Sequence, residues 1–250
     1  MGRIRAAAAV VGLAALSILA VAPSADAITV GSCPVIGSVY HQWGQQWAYG
    51  DYYGQFGWLE TFEPSVPDYQ HTFSLSHLYS YYGNSNPSSS NANTFVEVGF
   101  VKGQGLHMDY TSSHFYYAWA DHGTYHEFDS TSAPTNGHTY SYEVLFSGHN
   151  YSMGTDDWQV YWNGLGTVRG TVHESSMPYS HALAGGEVAG EFSQSTEMHT
   201  HGEPDQQIIS ENYAAHNWTT YFTSTHACES SNINYTISSD YMDFTATGSV

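Results

Sequence analysis

Beyond Ala27, no stretch of twelve residues holds apolar side chains at the i, i+3, i+4, i+7 spacing of a helix between capping residues at both ends. Apolar residues come instead in short aromatic and β-branched runs: Thr94 to Val101, His114 to Ala120, Thr139 to Phe146, Trp158 to Trp162 and Thr167 to His173. Gly, Asn, Ser and Pro separate them, and polar and apolar residues alternate within them, which is the period of a strand buried on one face. The pattern predicts an all-β fold, an antiparallel β-sandwich or jelly roll of concanavalin-like type, formed as one domain over residues 28–250. The 21 tyrosines and seven tryptophans suit such sheets, where rings pack across strands. Gly83 to Asn93 (GNSNPSSSNAN) offers only Ala92 to a core and is expected as a surface loop.

The first 27 residues have the character of a signal peptide. Arg3 and Arg5 precede an uncharged apolar run from Ala6 to Val21, and Ala25-Asp26-Ala27 supplies the small-x-small cleavage pattern. The expectation is a secreted, extracellular protein. Past Ala27 the only basic residues are Lys102 and Arg169, in a chain with 23 acidic residues. Such a surface repels phosphate backbones and anionic lipids, so neither nucleic acid nor membrane is an expected partner. Fifteen histidines gain charge between about pH 7 and pH 5 and shrink that negative charge, which favours an acidic working medium. Cys33 and Cys228 are the only cysteines, and in an exported chain they are expected to pair. The bond would close nearly the whole domain, worth about 4–5 kcal/mol in the chain-entropy model.

Two glutamates occupy positions where apolar strand residues would be expected. Alternation through Phe95-Val96-Glu97-Val98-Gly99-Phe100 sets Phe95, Glu97 and Gly99 on one face and Val96, Val98 and Phe100 on the other. Glu187 follows Gly185 and Gly186, which let backbone or ligand approach closely. Each glutamate taken singly reads equally well as a solvent-facing strand residue. The run Tyr40 to Trp58 (YHQWGQQWAYGDYYGQFGW) reads either as a stacking platform for sugars or as a strand pair whose rings fill the core.

Several blocks in order resemble the neprosin family of secreted glutamic peptidases. Glu63 to Tyr79 (EPSVPDYQHTFSLSHLY) resembles its P-x-V segment leading into F-S-L-S, and Thr94 to Phe100 (TFVEVGF) its glutamate-bearing strand. Phe115 to Gly123 (FYYAWADHG) is similar to its F-x-x-W-x-x-D-G segment, Ala184 to Val188 (AGGEV) to its G-G-E-V, and Thr196-Glu197-Met198 to its T-Q-M. The resemblance implies a β-sandwich endopeptidase that takes a protein or peptide substrate, needs no cofactor or metal, and works as a monomer. It implies that Glu97 and Glu187 are the catalytic carboxyls and that they share a proton; Trp119, Asp121 and Gln104 are further candidates for lining the substrate groove. Two carboxyls in one site do not both ionise readily, so one is kept as an acid while the other activates water. The chain departs from the family in Met198 to Gly202 (MHTHG), in lacking a cysteine between Tyr125 and Pro134, and in having only a short segment before the first block.

Rival readings use other residues. His199 and His201, with Glu197 or Glu203, form an H-x-H pattern open to a metal such as zinc. A non-catalytic carbohydrate- or surface-binding sandwich, or a glycoside hydrolase with two carboxylates in an aromatic groove, fits the same fold. A serine nucleophile has no support, because G-x-S-x-G is missing.

Overall fold

The computed structural model of the chain describes residues 30–33, 41–67, 72–82, 94–103, 111–164, 166–190, 196–209, 220–221, 226–237 and 244–249. The signal-like segment, the Gly83 to Asn93 loop and Gln104 lie outside them. The described residues hold sixteen strands and no helix. In chain order these are β1 (Val30–Ser32), β2 (His41–Tyr52), β3 (Gly54–Glu60), β4 (Phe73–Tyr82), β5 (Thr94–Gly103), β6 (His114–Asp121), β7 (Thr124–Asp129) and β8 (Thr139–Asn150). There follow β9 (Thr155–Trp162), β10 (Gly170–Glu174), β11 (Ser180–Ala189), β12 (Glu197–Ile209), β13 (Thr220–Tyr221), β14 (His226–Glu229), β15 (Ile233–Ile237) and β16 (Phe244–Ser249).

They form two sheets. Sheet A runs β1-β14-β2-β11-β4-β5-β6-β7, and sheet B runs β10-β9-β8-β3-β12-β16-β15 with β13 beside β12. All pairings are antiparallel except β1 with β14. The sheets face each other across one large apolar cluster that includes Leu78, Val96, Val98, Phe100 and Val188 of sheet A and Leu59, Val144, Trp158, Val160 and Phe244 of sheet B. The alternation read in β5 thus places Val96, Val98 and Phe100 inward, and Glu97 and Gly99 on the outer face of sheet A.

Two expectations are corrected. The aromatic run Tyr40 to Trp58 is not a paired hairpin: β2 belongs to sheet A and β3 to sheet B, so the chain crosses between layers at this point. The Thr167 to His173 run starts its strand only at Gly170. The amide of Arg169 still bonds the carbonyl of Val160, and its guanidinium lies over the Trp162 ring, 5.5 Å from the centroid.

A disulfide joins Cys33 to Cys228 as expected from the sequence, across a separation of 195 residues. It sits in a second cluster, with Trp47, Tyr81 and Leu183, on the outer side of sheet A. There it ties β14 to the segment that follows β1.

Candidate active site

Strand β4 lies between β5 and β11, and its register decides what meets on the outer face of sheet A. Glu97 stands opposite Tyr79, and Glu187 stands opposite Leu75. Leu75, His77 and Tyr79 alternate onto one face, so both glutamates share it, two strands apart and four residues apart along the strand direction. Strand spacing and rise put their backbones about 17 Å apart on the diagonal. The row between them is Gly185, His77 and Gly99. A Cβ on Gly99 would stand 1.9 Å from the carbonyl oxygen of Ser76, and one on Gly185 would stand 2.4 Å from that of Gly44. No side chain fits at either position, so the gap between the carboxyls stays clear beside the imidazole.

Each carboxyl has a histidine partner. Glu97 Oε2 is 2.9 Å from His77 Nδ1, and Glu187 Oε1 is 2.6 Å from His41 Nδ1. The shared proton expected between the two glutamates is therefore not a direct hydrogen bond; each is held by its own imidazole. The two pairs differ in exposure. The side chains of His77 and Glu97 are 4% and 7% exposed, whereas those of His41 and Glu187 are 34% and 18% exposed.

The electrostatics follow burial. Desolvation pushes the Glu97 carboxyl above its usual range; the bond and charge of His77 pull it back only in part, and Glu187 and Glu127 add to the rise. His41 is raised chiefly by its bond to Glu187, with burial opposing and the Glu187 charge assisting. Around the pair stand three phenols, Tyr79, Tyr116 and Tyr125, each raised first by burial and then by nearby carboxylates that include Glu97 and Glu187. They remain O–H donors at any working pH. Tyr125 donates to Glu127 Oε2 at 2.5 Å, while the buried Tyr116 hydroxyl finds no partner.

The other residues expected at the site are placed elsewhere. Trp119 stands opposite Val96 and packs against the inter-sheet cluster, stacked on His126, so it occupies the face of sheet A opposite Glu97. Asp121 shares that parity and accepts hydrogen bonds from Ser175 and His122. Alternation forces this: once Phe115 and Tyr117 point inward, Trp119 and Asp121 do too. Gln104 lies outside the described residues. The residues that sequence reading missed are His41 and His77, together with the phenols. His77 sits in the quoted F-S-L-S-H-L-Y block with a spacing that puts it on the face of Leu75 and Tyr79, but only the register shows that this face carries Glu97.

The rival sites gain little from the geometry. His199 Nε2 is 3.8 Å from Glu197, the His201 side chain lies outside the described residues, and no three metal-ligating side chains converge among the described residues. The aromatic run offers no single platform, since Trp43 and Tyr49 belong to sheet A and the exposed Trp58 to sheet B.

The sequence matches no protein-family model and no curated protein. Among solved structures, one of scytalido-glutamic peptidase with a transition state analog inhibitor aligns with 85% of this chain and 100% of its own, at 12% identity and a TM-score of 0.47. SCP-B, a member of the Eqolisin family of peptidases in a complex with the tripeptide Ala-Ile-His, aligns with 84% of this chain and 98% of its own, at 11% identity and a TM-score of 0.40.

Proposed function

We propose that this chain is a secreted, acid-active glutamic endopeptidase of neprosin-like type, with Glu97 as the acid and Glu187 as the base. The observation that carries the reading is the meeting of two electrostatically coupled glutamates on one sheet face, one buried and one partly open, across a strip cleared by two glycines. Burial assigns the roles. Glu97, its carboxyl raised, holds a proton; Glu187, paired with a histidine that its charge favours in the imidazolium form, is the carboxylate.

The chemistry then needs only these two groups and water. Glu187 takes a proton from a water molecule as its oxygen attacks the scissile carbonyl carbon, and Glu97 gives its proton to the carbonyl oxygen. The tetrahedral diol collapses as Glu97 recovers a hydroxyl proton, Glu187 passes its proton to the leaving nitrogen, and the C–N bond breaks. Both carboxyls return to their starting states. Tyr79 and Tyr116 offer neutral donors beside the developing charge.

The test is direct. The purified chain, freed of its first 27 residues, is expected to cleave a denatured protein at about pH 3–5, where a raised carboxyl keeps its proton. An inactive wild-type protein under those conditions removes the reading and leaves a β-sandwich without a catalytic role.

A further inference from the structure

The geometry points to His77 as a positioning residue that fixes where Glu97 carries its proton: Nδ1–H of the buried ring donates to Oε2, which leaves Oε1 to bear the acidic proton toward the substrate. This rests on the peptidase reading of Glu97 and Glu187, but it makes a claim about the ring that can be checked without any catalysis.

Three observations support it. The His77 ring is buried beside the strip between the two glutamates, on the face they share, with Gly99 and Gly185 as its cross-strand neighbours. Its Nδ1 lies 2.9 Å from Glu97 Oε2. Its Nε2 is buried and has no hydrogen-bond partner. The last point selects the tautomer. A buried N–H without an acceptor is rarer and costlier than a buried acceptor without a donor, so the bare lone pair belongs on Nε2 and the hydrogen on Nδ1. An Nδ1–H already occupying Oε2 excludes the carboxyl proton from that oxygen, and the proton goes to Oε1. In the opposite tautomer the carboxyl would spend its own proton on the imidazole and have none to offer the substrate.

The groups that face this pair are Tyr79 on β4, Tyr116 on β6, Tyr125 and Glu127 on β7, and Glu187 on β11 with His41 on β2. The phenols are neutral throughout the acid range, so the carboxylates and His41 set the pH response. The hydrogen bond from His77 lowers the Glu97 carboxyl against the effect of burial. Its loss should therefore move the alkaline limb of activity upward.

The experiment labels the chain with ¹⁵N and reads the His77 ring shifts at about pH 5. The expected result is a protonated Nδ1 and an unprotonated Nε2; the reverse tautomer, or an imidazolium, overturns the proposal. Kinetics then separate positioning from mere structure. His77→Leu is expected to lower kcat about 100-fold with KM nearly unchanged and to shift the alkaline limb to higher pH. His77→Asn, whose amide can donate from the place of Nδ1, should recover activity to within about tenfold of wild type. Equal losses in both variants with an unmoved pH profile would also overturn it. A correct tautomer in a protein that cleaves nothing would uphold the arrangement and refute the peptidase reading instead.

Discussion

Two of the buried carboxyls, Glu97 and Glu174, sit in quite different surroundings. Glu97 lies on the outer face of sheet A, 5% exposed, held by His77 and coupled to Glu187. Glu174 lies on the inner side of β10, fully buried beside Val172, opposite Asp156, and neither of its oxygens has a hydrogen-bond partner. Burial raises both, Glu174 to about 8, with the charge of Asp121 adding to it. A raised carboxyl alone therefore does not mark a site. What distinguishes Glu97 is a second carboxyl on the same face, an imidazole that orients one oxygen, and an open strip between them. Glu174 faces a sandwich interior with nothing to act on.

The sharpest way to break this contrast is to neutralise each carboxyl in turn. Glu97→Gln and Glu187→Gln are each expected to lower kcat/KM at least 1,000-fold, within the range for loss of a general acid or base. Glu174→Gln should leave it within about threefold, because Glu174 sits in the other sheet and touches neither glutamate. Peptide-cleavage kinetics at acid pH decide the matter. A loss of activity in Glu174→Gln equal to that in Glu97→Gln would erase the distinction.

Stability should show the reverse ranking. Glu143 and Glu174 are both pushed up to about 8, chiefly by burial, while an unfolded glutamate titrates near 4.3. Between those values the folded chain binds more protons than the unfolded one, so stability falls as pH rises. The slope is at most about 1.4 kcal/mol per pH unit for each carboxyl, less where water screens it. Asp121 and Asp157 act at the other end. Burial pushes them up, but hydrogen bonds, led by Ser175 for Asp121 and by His173 for Asp157, outweigh it and leave them below their usual value. Their contribution is lost as pH falls through those lowered values. The maximum thus lies in mild acid. Urea midpoints should drop from pH 5 to pH 8, and Glu174→Gln should match wild type at pH 5 and exceed it at pH 8. A flat profile in the wild type would show that neither carboxyl is held protonated.

A smaller test concerns the cleared strip itself. Gly99→Ala sets a methyl against the Ser76 carbonyl and should cost about 1–3 kcal/mol by forcing β5 away from β4. Gly166→Ala, in open space near β10, should be nearly neutral or slightly stabilising. Thermal melts compare the two. Equal effects would mean that the close approach of β4 to Gly99 is not a constraint.

How much of this the chain displays in advance depends on the range of the interaction. Alternation within Thr94 to Val101 is local, and it gives the shared face of Phe95, Glu97 and Gly99 without any structure. The same rule applied to Phe115 to Asp121 groups Trp119 with Phe115 and Tyr117. It cannot say which of the two faces points inward, since that is set by pairing with β5 and by sheet B. This is why Trp119 and Asp121 fall on the far side from Glu97. The histidine partners are separated from their glutamates by 20 and 146 residues, and among fifteen histidines no spacing singles them out. The disulfide spans an even greater distance, 195 residues, but was legible, because the only two cysteines in the sequence have only each other.

The outer pair tests whether exposure, rather than chemistry, separates the roles of the two glutamates. His41 is raised chiefly by its bond to Glu187, so the folded state favours its protonated form. That stabilisation is fully present below the unfolded histidine value of about 6.5 and is lost as pH rises through the raised folded value. With the His41 side chain 34% exposed, the pair should contribute no more than about 1 kcal/mol. An NMR titration of His41 should show its midpoint above 6.5 in the wild type and falling back toward 6.5 in Glu187→Gln. His41→Gln should reduce cleavage about tenfold, less than His77→Leu, because a partly solvated Glu187 can be oriented by water while a buried Glu97 cannot. If His41→Gln proves as damaging as His77→Leu, the open and buried carboxyls are equally dependent on their histidines, and burial is not what sets their roles apart.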